Sequence, residues 1–220
     1  MDLPLVMHKP FGPVLLETMC PKDIINSIND RVEEICQSKE LTKKYSSLNG
    51  SVPNLLGRDF EQIFFDKEFL ENCEFTRFVE NISNVYCENM NLEKVVLDCK
   101  KYGSGVWVNR YFSGDYTPVH EHGSILSGIL FLKIPDKFEE HRKVNSNENA
   151  NVTRKKHGTL QFLYGQDLRS NFAFYEPEQE VGKIILFPSW LSHLVYPIKM
   201  DGERRTLSFN LILENENGLS

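Results

Sequence analysis

The hydrophobic pattern of this 220-residue chain changes period once, near Leu92, and that change restricts the fold more than any other feature. After it come short runs rich in β-branched and aromatic residues: Val95–Leu97, Val106–Val108, Ile125–Ile134, Leu160–Tyr164, Phe172–Tyr175, Ile184–Phe187 and Thr206–Leu213. Gly, Pro, Asn and Asp lie between them, and no helical pattern intervenes. Such a series predicts a closed barrel or a sandwich. Before Leu92 the pattern is helical. Pro21-Lys22-Asp23 opens a helix with an acid in its first turn. Ile24, Ile25, Ile28, Val32 and Ile35 make one apolar stripe, with Asp30, Arg31, Glu33 and Glu34 mostly off it. A second helix is predicted from near Asp66 to about Met90, with Phe75, Phe78, Val79, Ile82, Val85 and Tyr86 on its core face. Helices first and strands second predict an α+β fold, mainly β, with the helices packed on one sheet. The length suits one domain over 1–220, with a helical half at about 1–91 and a strand core at about 92–213.

Composition excludes several classes. With 15 Phe and 8 Tyr the chain is not wholly disordered. A net charge of −6 gives no general attraction to nucleic acid or anionic lipid; Arg154-Lys155-Lys156-His157 is the one local basic cluster. No apolar run reaches the roughly 20 residues that span a bilayer, so no membrane partner is expected. Met1-Asp2-Leu3-Pro4 lacks a basic n-region, so no cleaved signal peptide is expected. Five cysteines without close pairs predict free thiols in a reducing compartment, the cytoplasm. Asn49–Pro53 reads as a turn-rich loop, and Asp136–His157, charged and then Asn-rich, as a lid or a plain insertion.

The chemistry lies in three strings. In the first, Asn109 to His122, Pro118 predicts extended chain from Tyr116 onward. On a strand His120 and His122 share one face and Glu121 takes the other. Two imidazoles so placed are ready metal ligands, or else two surface histidines of an edge strand. In the second, the buried strand Gly182–Phe187 runs through Pro188-Ser189-Trp190 to His193, which could reach across a barrel to the first pair. In the third, Arg204 follows eleven residues after His193. Arg204, Thr206 and Ser208 share one face; Arg205, Leu207 and Phe209 share the other. A guanidinium aimed into a barrel needs an anion, and its planar fork suits a carboxylate. Arg205, on the other face, reads as a surface charge. Ser127–Leu132 reads as an apolar strand, where Gly128 permits close packing of backbone or ligand. Trp107 and Trp190 read as core, Trp190 being the better candidate for a pocket rim. His8, His141 and His157 have no partner spacing.

Together these strings resemble the Fe(II)- and 2-oxoglutarate-dependent oxygenases, most closely a prolyl-hydroxylase-like branch found in bacteria and phages. The resemblance covers roughly Leu92 to Leu213. It implies a double-stranded β-helix (jelly roll) with helices bracing one sheet. It also implies hydroxylation of a C–H bond with dioxygen, while 2-oxoglutarate becomes succinate and carbon dioxide. Residue by residue, the ligand pair falls on His120 and His122 and the distal histidine on His193. The basic residue for the far carboxylate of 2-oxoglutarate falls on Arg204, with Thr206 as its hydroxyl helper. Asn109 and Tyr111, eleven and nine residues before His120, take the places of an Asn and a Tyr that touch the co-substrate in several branches.

One departure stands out. The usual triad is two histidines and one carboxylate, whereas position 122 is His. Three neutral imidazoles leave more net positive charge, which favours the 2-oxoglutarate dianion and holds Fe(II) less tightly. The rival is Glu121 turned inward by a bulge; strand phase favours His122. The substrate implied is a protein side chain such as proline, or a small metabolite. Two other readings remain: a non-catalytic, cupin-like jelly-roll binding module, and a structural particle component on the same barrel. Neither explains an arginine placed like Arg204.

Overall fold

The computed structural model describes residues 5–8, 12–47, 62–99, 105–138, 140, 157–165 and 173–214. The Asn49–Pro53 loop, most of Asp136–His157, and His141 lie outside them. In chain order the elements are β1 (Val6–His8), β2 (Leu15–Met19), α1 (Lys22–Gln37), α2 (Lys39–Tyr45), β3 (Ser46–Ser47), β4 (Gln62–Phe64), α3 (Lys67–Asn72) and α4 (Phe75–Met90). There follow β5 (Val95–Leu97), β6 (Val106–Tyr111), β7 (Thr117–His120), β8 (Leu126–Lys133), β9 (Leu160–Leu163) and β10 (Phe174–Tyr175). The last three are β11 (Lys183–Pro188), β12 (His193–Val195) and β13 (Arg204–Leu213).

The strands form two antiparallel sheets. The larger, of nine strands, runs β1-β2-β11-β8-β13-β6-β4-β3, with β5 paired to β13. The smaller, of four, runs β10-β9-β12-β7. The larger sheet is buried on both faces, and its strands show this by alternation. In β11, Ile184 and Leu186 pack toward the helices, while Ile185 and Phe187 pack toward the smaller sheet. The helix-side core takes the whole α1 stripe, Ile24, Ile25, Ile28, Val32 and Ile35, together with Phe75, Phe78 and Ile82 of α4. Each such side chain contributes roughly 1.5–3 kcal/mol of burial. The second core, between the sheets, takes Leu15, Ile129, Phe131 and Phe187 from one side and Leu160, Phe162 and Val195 from the other.

Two features differ from the sequence reading. Among the described residues of the first 91 there are four strands as well as helices: β2 pairs with β11, and β4 pairs with β6. Leu15 and Leu16 of β2 are both fully buried, one in each core, so the strand shows no alternation to read. The predicted second helix is broken in two. Asp66 caps α3 by accepting from the Phe69 N–H, and Glu74 then takes a left-handed conformation (φ 61°) before α4 begins. Gly128 meets a side chain rather than a ligand: a Cβ there would lie 2.0 Å from Cζ of Phe209.

Candidate metal centre

The smaller sheet brings the histidines together by register. In the β7–β12 pair His120 lies directly opposite His193. His122 lies two residues past the end of β7, where its N–H donates to the Ser189 carbonyl at 2.9 Å. The three rings are 4.2 to 5.2 Å apart by centroid. One ligand atom from each can be chosen so that all lie within 4.8 Å of one another. Glu121 is exposed and outside the cluster.

The chemical state of the rings suits a metal. Nδ1 of His120 is 2.9 Å from the Pro118 carbonyl, and Nδ1 of His193 is 2.9 Å from the Leu191 carbonyl. A carbonyl only accepts, so each Nδ1 carries the proton and each Nε2 keeps a lone pair for a ligand. Burial lowers the pKa of all three, to about 4 for His122 and about 3 for His193, with the neighbouring His120 adding to both shifts. They are neutral imidazoles at ordinary pH. Trp107, buried, lies 5.7 Å from His122 by ring centroid, and Phe187 lies 5.0 Å from His193. Trp190, the better rim candidate from sequence, is 52% exposed and sits 6.0 Å from the Tyr164 ring. Trp107 is the tryptophan beside the imidazoles.

The other candidate residues lie on β13 and β6. Their register sets Arg204 opposite Tyr111, Thr206 opposite Asn109, and Ser208 opposite Trp107. Directly opposed residues share a face, so all six look toward the smaller sheet. Asn109 accepts from Gln62 at 3.0 Å and donates to Ser208 at 3.3 Å. The Tyr111 hydroxyl is 2.8 Å from that of Thr117, at the start of the His120 strand. Thr206 is buried beside them.

Arg204 is 1% exposed. Its Nε donates to Gln179 at 2.9 Å, and the Tyr111 and Phe131 rings lie 5.1 and 5.3 Å from its guanidinium carbon. Nη1 is buried with no hydrogen-bond partner among the described residues. Burial lowers its pKa to about 10, although Tyr111 opposes the shift. This is a dry cation in which Nη1 is unpaired among the described residues, while Tyr111 supplies a side-chain hydrogen bond to the guanidinium.

Arg205 corrects the sequence reading. It points to the opposite face, as alternation requires, but that face is covered by α1. It is 1% exposed and donates to both oxygens of Glu203 (2.9 and 3.0 Å), to Glu33 (2.6 Å) and to Asn29 (3.0 Å). It is a buried structural cation, not a surface charge.

Sequence reasoning also missed a set of buried hydroxyls behind His122. Ser189 Oγ lies 2.6 Å from Ser124 Oγ and 2.9 Å from Ser127 Oγ, and Ser127 donates to Asn210 at 2.8 Å. With one proton per hydroxyl, Ser127 gives its proton to Asn210 and so accepts from Ser189, while Ser124 also donates to the Leu126 carbonyl at 3.2 Å. These bonds tie the loop after β7 to the turn before His193. Single serines carry no such signal in a sequence. Gln179, inside the polar stretch Glu176–Glu180, carries none either.

Comparison with known proteins bears on both clusters. The family described as "Putative 2OG-Fe(II) oxygenase" matches residues 105–210, which include every candidate residue named for the site. The match spans just under half of the chain, and over that stretch the chain is similar to the 2-oxoglutarate–Fe(II) oxygenases, which are 2-oxoglutarate-dependent dioxygenases. That family uses Fe(II) and 2-oxoglutarate. No curated protein matches the sequence. Among solved structures the fold is similar to a Pseudomonas putida prolyl-4-hydroxylase, with TM-score 0.56, 13% identity, and 91% of this chain and 92% of that chain covered. It is similar also to a prolyl hydroxylase from Trichoplax adhaerens, solved with a hypoxia inducible factor oxygen degradation domain peptide fragment. There the TM-score is 0.56 and the identity 14%, over 98% of this chain and 86% of that one. A third is the non-heme alpha ketoglutarate dependent epimerase SnoN from nogalamycin biosynthesis, with TM-score 0.57, 11% identity, and 93% and 77% covered. No helix among the described residues is long and apolar enough to cross a membrane.

Proposed function

We propose that the chain is one oxygenase unit over 1–220 in which His120, His122 and His193 hold Fe(II), and Arg204 holds the far carboxylate of 2-oxoglutarate. The observation that carries this is the pairing of two incomplete sites facing the space between the sheets. Three neutral imidazoles bring one ligand atom each to within 4.8 Å of the others, and Nη1 of a buried guanidinium has no partner among the described residues. The first is completed by a divalent metal and the second by a carboxylate. 2-Oxoglutarate, a keto acid with a distant carboxylate, joins the two.

The sheets are read as the double-stranded β-helix of this family. β6, β8, β11 and β13 form one wall, and β7, β9, β10 and β12 the other. When bound, Fe(II) supplies the centre at which dioxygen and 2-oxoglutarate react and a substrate C–H bond is hydroxylated. The protein's own residues bind and orient. Pro118 and Leu191 fix the tautomers of His120 and His193. Arg204, with Thr206 beside it, anchors the co-substrate, while Tyr111 and Asn109 line the same face. Trp107, Phe162 and Phe187 exclude water around the imidazoles. The substrate class is a protein side chain such as proline, or a small metabolite. A cupin-like binding or structural module accounts for the sheets but leaves Arg204 buried without purpose, at a cost of several kcal/mol.

The test is succinate release from 2-oxoglutarate in the presence of Fe(II) and dioxygen. Wild type is expected to release it, and His193→Ala to release none while still unfolding cooperatively. Full turnover in His193→Ala contradicts the site.

A further inference from the structure

A guanidinium can meet a carboxylate along either of two edges: the side, through Nε and one Nη, or the end, through both Nη atoms. In Arg204 the side is taken, because Nε donates to Oε1 of Gln179 at 2.9 Å. The amide nitrogen of Gln179 donates in turn to the Gly158 carbonyl at 3.2 Å. Gln179 is buried, and both ends of its amide are used. The two bonds fix its orientation, since a flipped amide would set N–H against N–H and oxygen against oxygen. On the end edge Nη1 is buried without a partner among the described residues, and Tyr111 supplies the guanidinium's other side-chain hydrogen bond.

The identity of the orienting group matters as much as its position. A glutamate has the same length and could accept from the same Nε. It would also neutralise the cation, leaving nothing for a ligand's carboxylate. An amide holds the guanidinium in place and leaves its full charge available.

We propose that Gln179 is a positioning residue for co-substrate binding: it blocks the side edge of Arg204, presents the end edge, and preserves the charge. The proposal rests on Arg204 as the anchor of 2-oxoglutarate and adds a residue from the β10–β11 connection to that reading. It also ties the anchor to Gly158, at the near end of the connection between β8 and β9.

The test compares Gln179→Glu, Gln179→Met and Arg204→Ala. Each is loaded with Fe(II) without oxygen and titrated with 2-oxoglutarate, and the Fe(II) affinity of each is measured separately. Gln179→Glu should lose on the order of a hundredfold in 2-oxoglutarate affinity. Gln179→Met removes both amide bonds but leaves the charge, and should lose only about tenfold. Fe(II) affinity should hold in both. The order of the two variants is the signature, because a merely structural role predicts that Met, which deletes more bonds, is the worse. A Met variant as weak as Glu, or either variant with wild-type affinity, overturns the proposal. If the Glu variant does not fold, the Met variant alone decides, and unchanged affinity refutes it. Arg204→Ala separates the two levels. Unchanged binding there contradicts the anchor itself, whereas lost binding there with normal binding in Gln179→Glu removes only the role of Gln179.

Discussion

At position 122 the chain has an imidazole where related metal sites commonly have a carboxylate. Strand phase already sets His122 with His120 and turns Glu121 away. The ring geometry agrees, since His122 lies 5.0 Å from His120 and 5.2 Å from His193 by centroid. The backbone bond from His122 to Ser189 holds it there past the end of the strand. Iron content should therefore separate the neighbours. His122→Ala is expected to weaken Fe(II) binding by about a hundredfold or more, at least the cost of losing an outer-shell partner. Glu121→Ala should retain one iron per chain. Metal analysis after anaerobic loading and desalting checks both, and the reverse result would put the carboxylate in the site.

The two arginines at the start of β13 show what alternation reveals and what it hides. Opposite faces for Arg204 and Arg205 follow from the period of two. Which face is covered does not, because that depends on where α1 docks. Glu33 lies off the α1 stripe and reads as solvent-facing, yet it meets Arg205 at 2.6 Å. Glu203 completes the arrangement with Arg205 at 2.9 Å and Arg110 at 2.7 Å. Burial alone would raise the Glu203 pKa, but hydrogen bonds and charge from Arg205 and Arg110 outweigh it, and the net value falls from 4.5 to about 2. A carboxylate with a depressed folded pKa contributes stability above its unfolded value and loses it as pH falls toward the folded one. The window is from about 4.5 down to about 2. Arg205→Ala should cost about 3 kcal/mol near neutral pH. The gap to wild type should narrow through that acid window, as Glu203 becomes protonated in both. Denaturant unfolding at several pH values checks this. A loss near zero at neutral pH would mean that Arg205 behaves as a surface charge after all.

Across the whole molecule, the legible parts are those with a short repeat. The stripe of α1 and the alternation of β11 and β13 each fit within one element and read correctly in phase, and the His-x-His spacing sets the two rings together although His122 lies two residues past the end of β7. The strands of the first 91 residues were not legible. β3 and β4 are two and three residues long, and β2 is buried on both faces. The hydroxyl chain from Ser124 to Asn210 and the Gln179–Arg204 bond were hidden for another reason: each joins residues from separate elements, one at a time, and only the tertiary fold brings them together.

In the proposed site two half-sites, three imidazoles and a guanidinium whose Nη1 has no partner among the described residues, are bridged by one metal and one keto acid. The most direct measurement is an anaerobic titration of 2-oxoglutarate into Fe(II)-loaded protein, followed by visible absorption. A weak metal-to-ligand charge-transfer band should grow and saturate at one equivalent per chain. It should be absent in His193→Ala and need far more co-substrate in Arg204→Ala. Wild-type protein that shows no band, or a band unchanged by Arg204→Ala, would contradict the account.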